Sequence, residues 1–230
     1  MQNQLDQFAE ELLTHKPVQY VLNEAWFMNL KLYVDENVLI PRPETEELVQ
    51  WVINETGSGD ANVILDVGTG SGCIALALKK NLKNADVYAI DVSEAALNVA
   101  QKNAAINQAE VHFILLDVLN ENTWDKLPQV NVVVSNPPYI PLRDKLQMSK
   151  NVVEHEPHLA LFVPDGDSLL FYKKIAKLGS MKLRAGGCIF VEMHEQLSGE
   201  VRSVFEREGF TRTSIVKDMQ GKDRLLRGCR

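Results

Sequence analysis

Val63-Ile-Leu-Asp-Val-Gly-Thr-Gly-Ser-Gly72 is the stretch on which the reading of this chain turns. Val63-Ile-Leu65 reads as a buried strand. The glycines at 68, 70 and 72 allow backbone conformations closed to other residues and let the chain approach a ligand closely. A helix over 71–80 follows, so the stretch opens as strand, glycine turn, helix. The alternation then continues, with strands expected at 87–90, 111–115, 130–134 and 187–193 and helices at 94–106, 169–183 and 197–208. Gly209 stands at the expected cap of the last helix, and strands over 210–216 and 224–229 finish the chain. Such alternation calls for an α/β fold with a mostly parallel, doubly wound sheet. The strands number seven, and the C-terminal one is expected to run antiparallel.

Working back from this stretch, Gly57-Ser-Gly-Asp60 reads as a loop, and Leu48, Val49, Trp51 and Val52 carry a helical pattern. Pro41 and Pro43 precede Glu44, Glu46 and Glu47, acids that suit the positive end of a helix dipole. Residues 25–40 alternate around Trp26, Leu30, Leu32 and Val34 and are broken by Asp35-Glu36-Asn37, the pattern of a β-hairpin. Leu5, Phe8, Ala9, Leu12 and Leu13 form one apolar stripe on a short helix, which must pack on something because isolated helices of this length are marginal in water. The chain divides at residue 40 into an N-terminal helix and hairpin (1–40) and a main domain (41–230).

Composition is that of an ordinary globular protein, with 45% hydrophobic and 24% charged residues. The net charge of −7 argues against a surface that hugs a phosphate backbone and leans toward a basic protein partner. Cys73, Cys188 and Cys229 show no CxxC pair and no even-numbered framework, so three reduced thiols in a cytoplasmic protein are expected. The five histidines lack metal spacing. His155 and His158 are three apart, but Pro157 between them opposes a shared helix face, and no metal is expected. No stretch approaches the roughly 20 apolar residues of a membrane span, and the N-terminus carries no signal peptide.

In a doubly wound sheet the ligand lies beyond the carboxyl ends of the strands, where strand order reverses. The glycine turn by itself suits a dinucleotide, a nucleotide or a methyl donor. Its spacing is G-x-G-x-G and not the dinucleotide G-x-G-x-x-G, and it has no Gly-Lys-Ser/Thr ending to grip phosphate. Asp91, at the end of the second strand, can accept from both hydroxyls of a ribose; the competing role is a helix N-cap, shared with Ser93. Asp117 ends the third strand and can accept from an adenine amino group, with Val118 packing on the ring or donating its N–H. A ribose to hold and no phosphate to neutralise favour S-adenosylmethionine, with S-adenosylhomocysteine as its product. Gly68, Thr69, Gly70, Ser71 and Gly72 would complete that site.

The fourth strand runs into Ser135-Asn-Pro-Pro-Tyr-Ile-Pro141. Two successive prolines have no N–H to donate and keep the residue before them out of the helical region, so this backbone is stiff. An amide or aromatic amino nitrogen is a poor nucleophile because its lone pair is delocalised. Two acceptors holding its hydrogens, the Asn136 side-chain oxygen and the Pro137 carbonyl, would favour pyramidalisation and aim the lone pair. Pro138 stiffens the turn and Tyr139 can stack on the flat group. Catalysis would then be mostly positioning, with no strong base or metal.

Taken together, Leu39-Ile-Pro-Arg-Pro-Glu-Thr-Glu46, Asp66–Gly72 and Asn136-Pro-Pro-Tyr139 resemble the release factor glutamine N5-methyltransferases. So do Glu156-Pro157 with Ala160-Leu161, and Asp218 with Gly221 and Arg224. The resemblance runs from about Pro17 to the end and implies a Rossmann-like class I S-adenosylmethionine-dependent methyltransferase. Its substrate would be the glutamine of the Gly-Gly-Gln motif of peptide chain release factors. It also implies cofactor contacts at Gly68–Gly72, Asp91, Asp117–Val118 and Asn136, and glutamine-holding contacts at Asn136–Tyr139. The Pro41–Glu47 segment would pack over the cofactor, with no catalytic role given to Arg42 or Glu44.

This chain departs from the family in two ways. Members carry several helices before the hairpin, where only one short helix fits ahead of Pro17 here. Residues 1–40 then read as the remnant of a substrate-docking domain. Asn23 stands where glycine is common, and Val118 where some members have tryptophan. The alternative function is an amino-methyltransferase acting on adenine N6 or guanine N2 of nucleic acid, since a flipped base presents the same planar NH₂. It requires a basic face, which the net charge disfavours. A non-catalytic binding module is opposed by the intact Asn136–Tyr139 loop.

Overall fold

The computed structural model describes residues 2–57 and 62–230; most of the Gly57–Asp60 loop therefore lies outside the described residues. Helix α1 (Gln2–Leu13) and the short α2 (Val18–Leu22) lead into strands β1 (Ala25–Phe27) and β2 (Leu30–Leu32), and α3 spans Pro43–Thr56. Then follow β3 (Val63–Val67), α4 (Cys73–Asn81), β4 (Asp86–Asp91), α5 (Glu94–Asn107), β5 (His112–Leu115) and β6 (Val130–Ser135). An excursion past the proline loop contains β7 (Ile140–Pro141), α6 (Lys150–His155), α7 (His158–Leu161) and β8 (Phe162–Val163). The chain closes with α8 (Leu170–Lys182), β9 (Leu183–Glu192), α9 (Ser198–Arg207), β10 (Arg212–Lys217) and β11 (Asp223–Cys229).

Seven strands form the main sheet in the order β10-β11-β9-β6-β3-β4-β5. β11 runs antiparallel to both of its neighbours, and every other pairing is parallel. β3 and β6 pair directly, with Asp66 opposite Val134. From β3 the chain winds one way through β4 to β5, then returns to β6 on the other side. The β3/β6 junction is therefore the switch point where such sheets hold ligands.

Both faces of the sheet are covered, which is why its strands read as near-continuous apolar runs. Ile64, Val132 and Val134 face α3 and α4. Their neighbours Leu65 and Val133 face Tyr172 and Ile175 of α8 and Phe205 of α9 on the opposite side. This alternation is the two-residue period of a strand.

Several expectations are corrected. The hairpin is confined to 25–32 and turns at Met28-Asn29, both at positive φ, not at Asp35–Asn37. A two-residue turn of that hand matches strand twist, while 33–42 runs on as a loop with a separate turn in which Val38 N donates to Asp35 O. The α1 stripe does not bury: Leu5, Leu12 and Leu13 are exposed, Leu13 at 82%. Cys188 and Cys229 are joined by a disulfide, leaving Cys73 as the free thiol among the described residues. They lie directly opposite on antiparallel β9 and β11. Arg230 N donates to Gly187 O at the adjoining pair, so 188/229 is the close, non-hydrogen-bonded pair, with Cα atoms 4.1 Å apart. No sequence spacing encodes that meeting.

The entry segment is fastened to the sheet domain by a third cluster, in which Tyr20, Val34, Val38 and Ile40 pack on Ala96 and Val99 of α5. Asn23 closes α2 in the left-handed conformation, which asparagine tolerates better than most residues, and so it serves where glycine is usual. Its side chain donates to Val34 O. Asn103, fully buried on α5, donates to Tyr33 O and to Ser71 O (2.9 Å each) and accepts from Tyr33 N (2.6 Å). One amide thereby ties the entry loop to the glycine turn. Asn103→Ala strands these backbone groups and is expected to cost about 2–4 kcal/mol in urea unfolding.

Candidate active site

Two adjoining cavities open at the carboxyl ends of β3 and β6. One is a cleft of about 1120 Å³, its solvent-filled mouth included, between the glycine turn and the 37–45 segment. Gly68, Thr69, Gly70, Ser71, Asp91, Asp117, Val118, Asn136, Pro137 and Pro138 all line it. Gly72 does not. It starts α4 at φ +82°, and a Cβ there would press on Ala100 at 3.2 Å, so its role is close packing of α4 on α5. The second cavity, about 720 Å³ with its open mouth included, is lined by Tyr139, Ile140, Met148, Val152, Leu161 and Glu192. Leu39, Arg42, Asn136, Pro137 and Ala160 belong to both, so the start of the proline loop is part of a shared wall.

The amides of Gly68, Thr69, Gly70 and Gly72 are already engaged. Gly68 N and Thr69 N both donate to Ile90 O (2.9 and 3.0 Å), and Gly70 N donates to Asp91 Oδ2 (2.9 Å). This turn is therefore no nest of free N–H groups for a phosphate, unlike a P-loop. Asp91 Oδ1 accepts from Ser93 N at 2.9 Å, and the cap of α5 is Ser93, whose hydroxyl accepts from Ala96 N. The competing N-cap role for Asp91 thus falls to its neighbour. Each Asp91 oxygen takes one backbone N–H and keeps a second lone pair for a ligand hydroxyl. Asp117 Oδ1 accepts from Leu119 N (2.8 Å), and Val118 is held by Trp124, whose indole N–H donates to its carbonyl (3.1 Å). Two carboxylates and no phosphate cradle suit an uncharged nucleoside carrying a cationic group, which is the chemistry of a sulfonium methyl donor.

Beneath the proline loop lies a polar network that the sequence did not announce. Asn136 Nδ2 donates to Thr45 Oγ1 (3.1 Å), Thr45 Oγ1 donates to Glu192 Oε2 (2.7 Å), and the Tyr139 hydroxyl lies 3.4 Å from Glu192 Oε1. Tyr172 donates to the Glu192 backbone carbonyl. Glu192 was hidden in an apolar strand pattern, and Thr45 among helix-entry acids. Their only sequence signals were a carboxylate at a strand's carboxyl end and a hydroxyl inside the Pro41–Glu46 motif. Glu156, 3% exposed, accepts from Arg42 Nη2 (2.5 Å) and Ile40 N (3.2 Å), pinning the α6–α7 excursion to the segment facing it. That is the structural role of Arg42; among the described residues no bond of this kind accounts for Glu44. Asp218 accepts from the backbone of Lys222 and Gln220 and from Arg224 Nε, and Arg224 also donates to Met193 O beside Glu192. Among the described residues no group of three or more His, Cys, Asp or Glu side chains is placed to hold a metal.

The comparisons with known proteins agree with this geometry. The Methyltransferase small domain model matches residues 45–169. The release factor glutamine methyltransferase of Flavobacterium psychrophilum is 48% identical over 94% of this chain and 76% of its own length. That of Bacteroides thetaiotaomicron is 41% identical over 98% and 80%. The chain belongs to the release factor glutamine methyltransferase family. Among solved structures, a Pyrococcus furiosus methyltransferase superposes with a TM-score of 0.61 at 18% identity, covering 96% of both chains. The 16S rRNA N2 G1207 methyltransferase of T. thermophilus, in complex with AdoMet and guanosine, gives 0.61 at 16% identity over 90% of this chain and 49% of that one. The fold is that of the class I S-adenosylmethionine-dependent methyltransferases. No helix among the described residues is long and apolar enough to cross a membrane.

Two buried carboxyls in this region titrate well above the ordinary carboxylate range. Burial pushes Asp66, under the glycine turn, up to about 7 against the pull of the Thr69 hydroxyl bonded to it. Burial likewise raises Glu192 to about 7, opposed by Thr45 and Arg224. In the unfolded chain both titrate near roughly 4. The unfolded state therefore loses these protons first as pH rises, and the stability the two groups contribute is complete below about pH 4 and lost through 7. The stability difference between pH 5 and pH 8 in urea unfolding is expected to shrink in Asp66→Asn.

Proposed function

We propose that this protein transfers the methyl group of S-adenosylmethionine to the side-chain nitrogen of the glutamine in the Gly-Gly-Gln motif of peptide chain release factors. The observation that carries this reading is the Asn136-Pro137 wall shared by two adjoining cavities. A donor on one side and an amide on the other would meet across that wall. The relatives' names supply the acceptor, and the engaged amides of the glycine turn, with the spare lone pairs of Asp91, suit the donor.

Asp91 would hold the ribose, and Asp117 and Val118 the adenine; Gly68–Ser71 floor the cleft, with Gly72 setting the turn. The bound donor supplies an electrophilic methyl on a sulfonium. Asn136 Oδ1 and the Pro137 carbonyl would each accept one hydrogen of the glutamine amide, with Pro138 keeping that carbonyl fixed. Tyr139 would flank the flat group in the second cavity. Holding both hydrogens aims the nitrogen lone pair at the methyl, and the extra proton leaves after transfer. No general base and no metal enters this scheme. Orientation of this kind supplies up to about 7–11 kcal/mol of a barrier. In the same reading the protein acts in the cytoplasm, nucleic acid is not its substrate, and residues 1–40 help the 41–230 catalytic domain meet its protein partner.

The reading is tested by methyl transfer from labelled S-adenosylmethionine to a purified release factor, with structured RNA and duplex DNA in parallel. Label is expected on the release factor alone and lost when its loop glutamine is replaced. Label on nucleic acid only would favour the adenine or guanine amino-methyltransferase alternative. Asn136→Ala is expected to nearly abolish transfer while cofactor affinity stays within about tenfold, roughly 1.4 kcal/mol. Asp91→Ala should weaken cofactor binding in calorimetry, and unchanged affinity there would refute its ribose role.

A further inference from the structure

We infer that Glu192, acting through Thr45, fixes which way round the Asn136 amide sits, and so serves as the positioning residue for the nitrogen that accepts the methyl group. The inference rests on the function proposed above and extends it to two residues outside the proline loop.

A side-chain amide can sit two ways, with oxygen and nitrogen exchanged, and the hydrogen-bond network decides between them. Only one of the two suits an amide substrate. With Oδ1 toward the acceptor nitrogen, Asn136 accepts one of its hydrogens. With Nδ2 there, two donors face each other and the acceptor is repelled.

The choice follows from counting hydrogens. Thr45 has a single hydroxyl hydrogen and is buried at 2% exposure. Glu192 Oε2 stands 2.7 Å from that oxygen, and an ionised carboxylate only accepts. The Thr45 hydrogen therefore points to Glu192 and leaves only lone pairs for Asn136. Asn136 must answer with a donor, and its Nδ2 lies 3.1 Å away. Among the described residues Asn136 Oδ1 accepts no hydrogen bond, so its lone pairs are left for the cavities. The chain of donors ends at Glu192 and sets the direction of every link.

The other Glu192 oxygen faces the Tyr139 hydroxyl at 3.4 Å, so one carboxylate addresses both polar side chains of the loop. Its surroundings keep it in play near neutrality. Arg224 from β11 favours its charge, Glu44 from α3 opposes it, and Thr45 and Tyr139 stabilise it by hydrogen bonding. Below about 7 it is protonated, can itself donate, and no longer dictates the Thr45 hydrogen. A buried carboxylate is costly compared with an apolar side chain. Its part in orienting Asn136 accounts for its presence.

Three variants and two readouts test this. Thr45→Val removes the relay without changing its shape, Thr45→Ser restores the hydroxyl, and Glu192→Gln removes the charge. In ¹⁵N NMR, one Asn136 side-chain amide proton is expected to be shifted and protected in the native protein and in Thr45→Ser, and to lose both features in Thr45→Val. This readout needs no substrate and decides the positioning claim even if the release-factor reading fails, a failure that would show separately as no label on the release factor from the native enzyme. In methyl transfer, kcat should fall on the order of 10- to 100-fold in Thr45→Val and Glu192→Gln, with cofactor affinity unchanged and Thr45→Ser restored to within a few-fold. Neither loss should appear when Asn136 is already alanine, because the three residues form one unit. The native kcat should also rise with pH through about 7, and this limb should vanish in Glu192→Gln. An Asn136 amide resonance indifferent to Thr45→Val would overturn the inference. So would a kcat loss of equal size in the Asn136→Ala background.

Discussion

Direct parallel pairing of β3 with β6 is the constraint on which the rest of the molecule depends. Asp66 lies opposite Val134 in that register, so the two strands end together and their following loops emerge side by side. One loop is the glycine turn and the other carries Asn136 to Tyr139. Neither has a function alone. Because the chain winds outward from β3 in one direction and returns on the other side, no helix crosses the gap between the loops, and the crevice stays open to a ligand.

That crevice has walls drawn from far along the chain, each fastened by a specific bond. Asn103 holds the entry loop against the glycine turn, and Glu156 holds Arg42 and Ile40 against the α6–α7 excursion. The Asp218 turn holds Arg224 alongside Met193 and thus near Glu192. Most of these bonds join segments separated by tens of residues or more, and in the case of Arg42 and Glu156 by 114. The Pro41–Glu46 motif and the Asp218–Arg224 motif look unrelated along the chain, yet both converge on Glu192.

Buried acids mark this site, and they act differently. Asp66 sits under the glycine turn and bonds to Thr69, which is itself part of the cleft floor. Glu192 lies at the bottom of the second cavity, where its carboxylate sets the sense of a hydrogen-bond chain. Asp91 is less enclosed and splits its oxygens between two backbone donors. The surroundings of each carboxyl decide what it does. Burial raises all three above the ordinary carboxylate range, and only Asp91, at the cleft edge, also turns its oxygens toward a ligand site.

The sequence by itself determined the sheet, because a strand buried on both faces must be apolar throughout and a covering helix must carry a stripe; the runs at 63–65 and 130–134 and the cap at Gly209 are local facts. It also determined the loops that line the cleft, since glycine and proline act on their own backbone. Tertiary structure alone decided the rest. The hairpin turn fell at Met28-Asn29, where twist set the register, and the α1 stripe stayed exposed for want of a facing surface among the described residues. Cys188 met Cys229 because antiparallel neighbours place them opposite. Thr45 met Glu192 across 147 positions. Pairings of that kind depend on which strands become neighbours, and no local spacing records that.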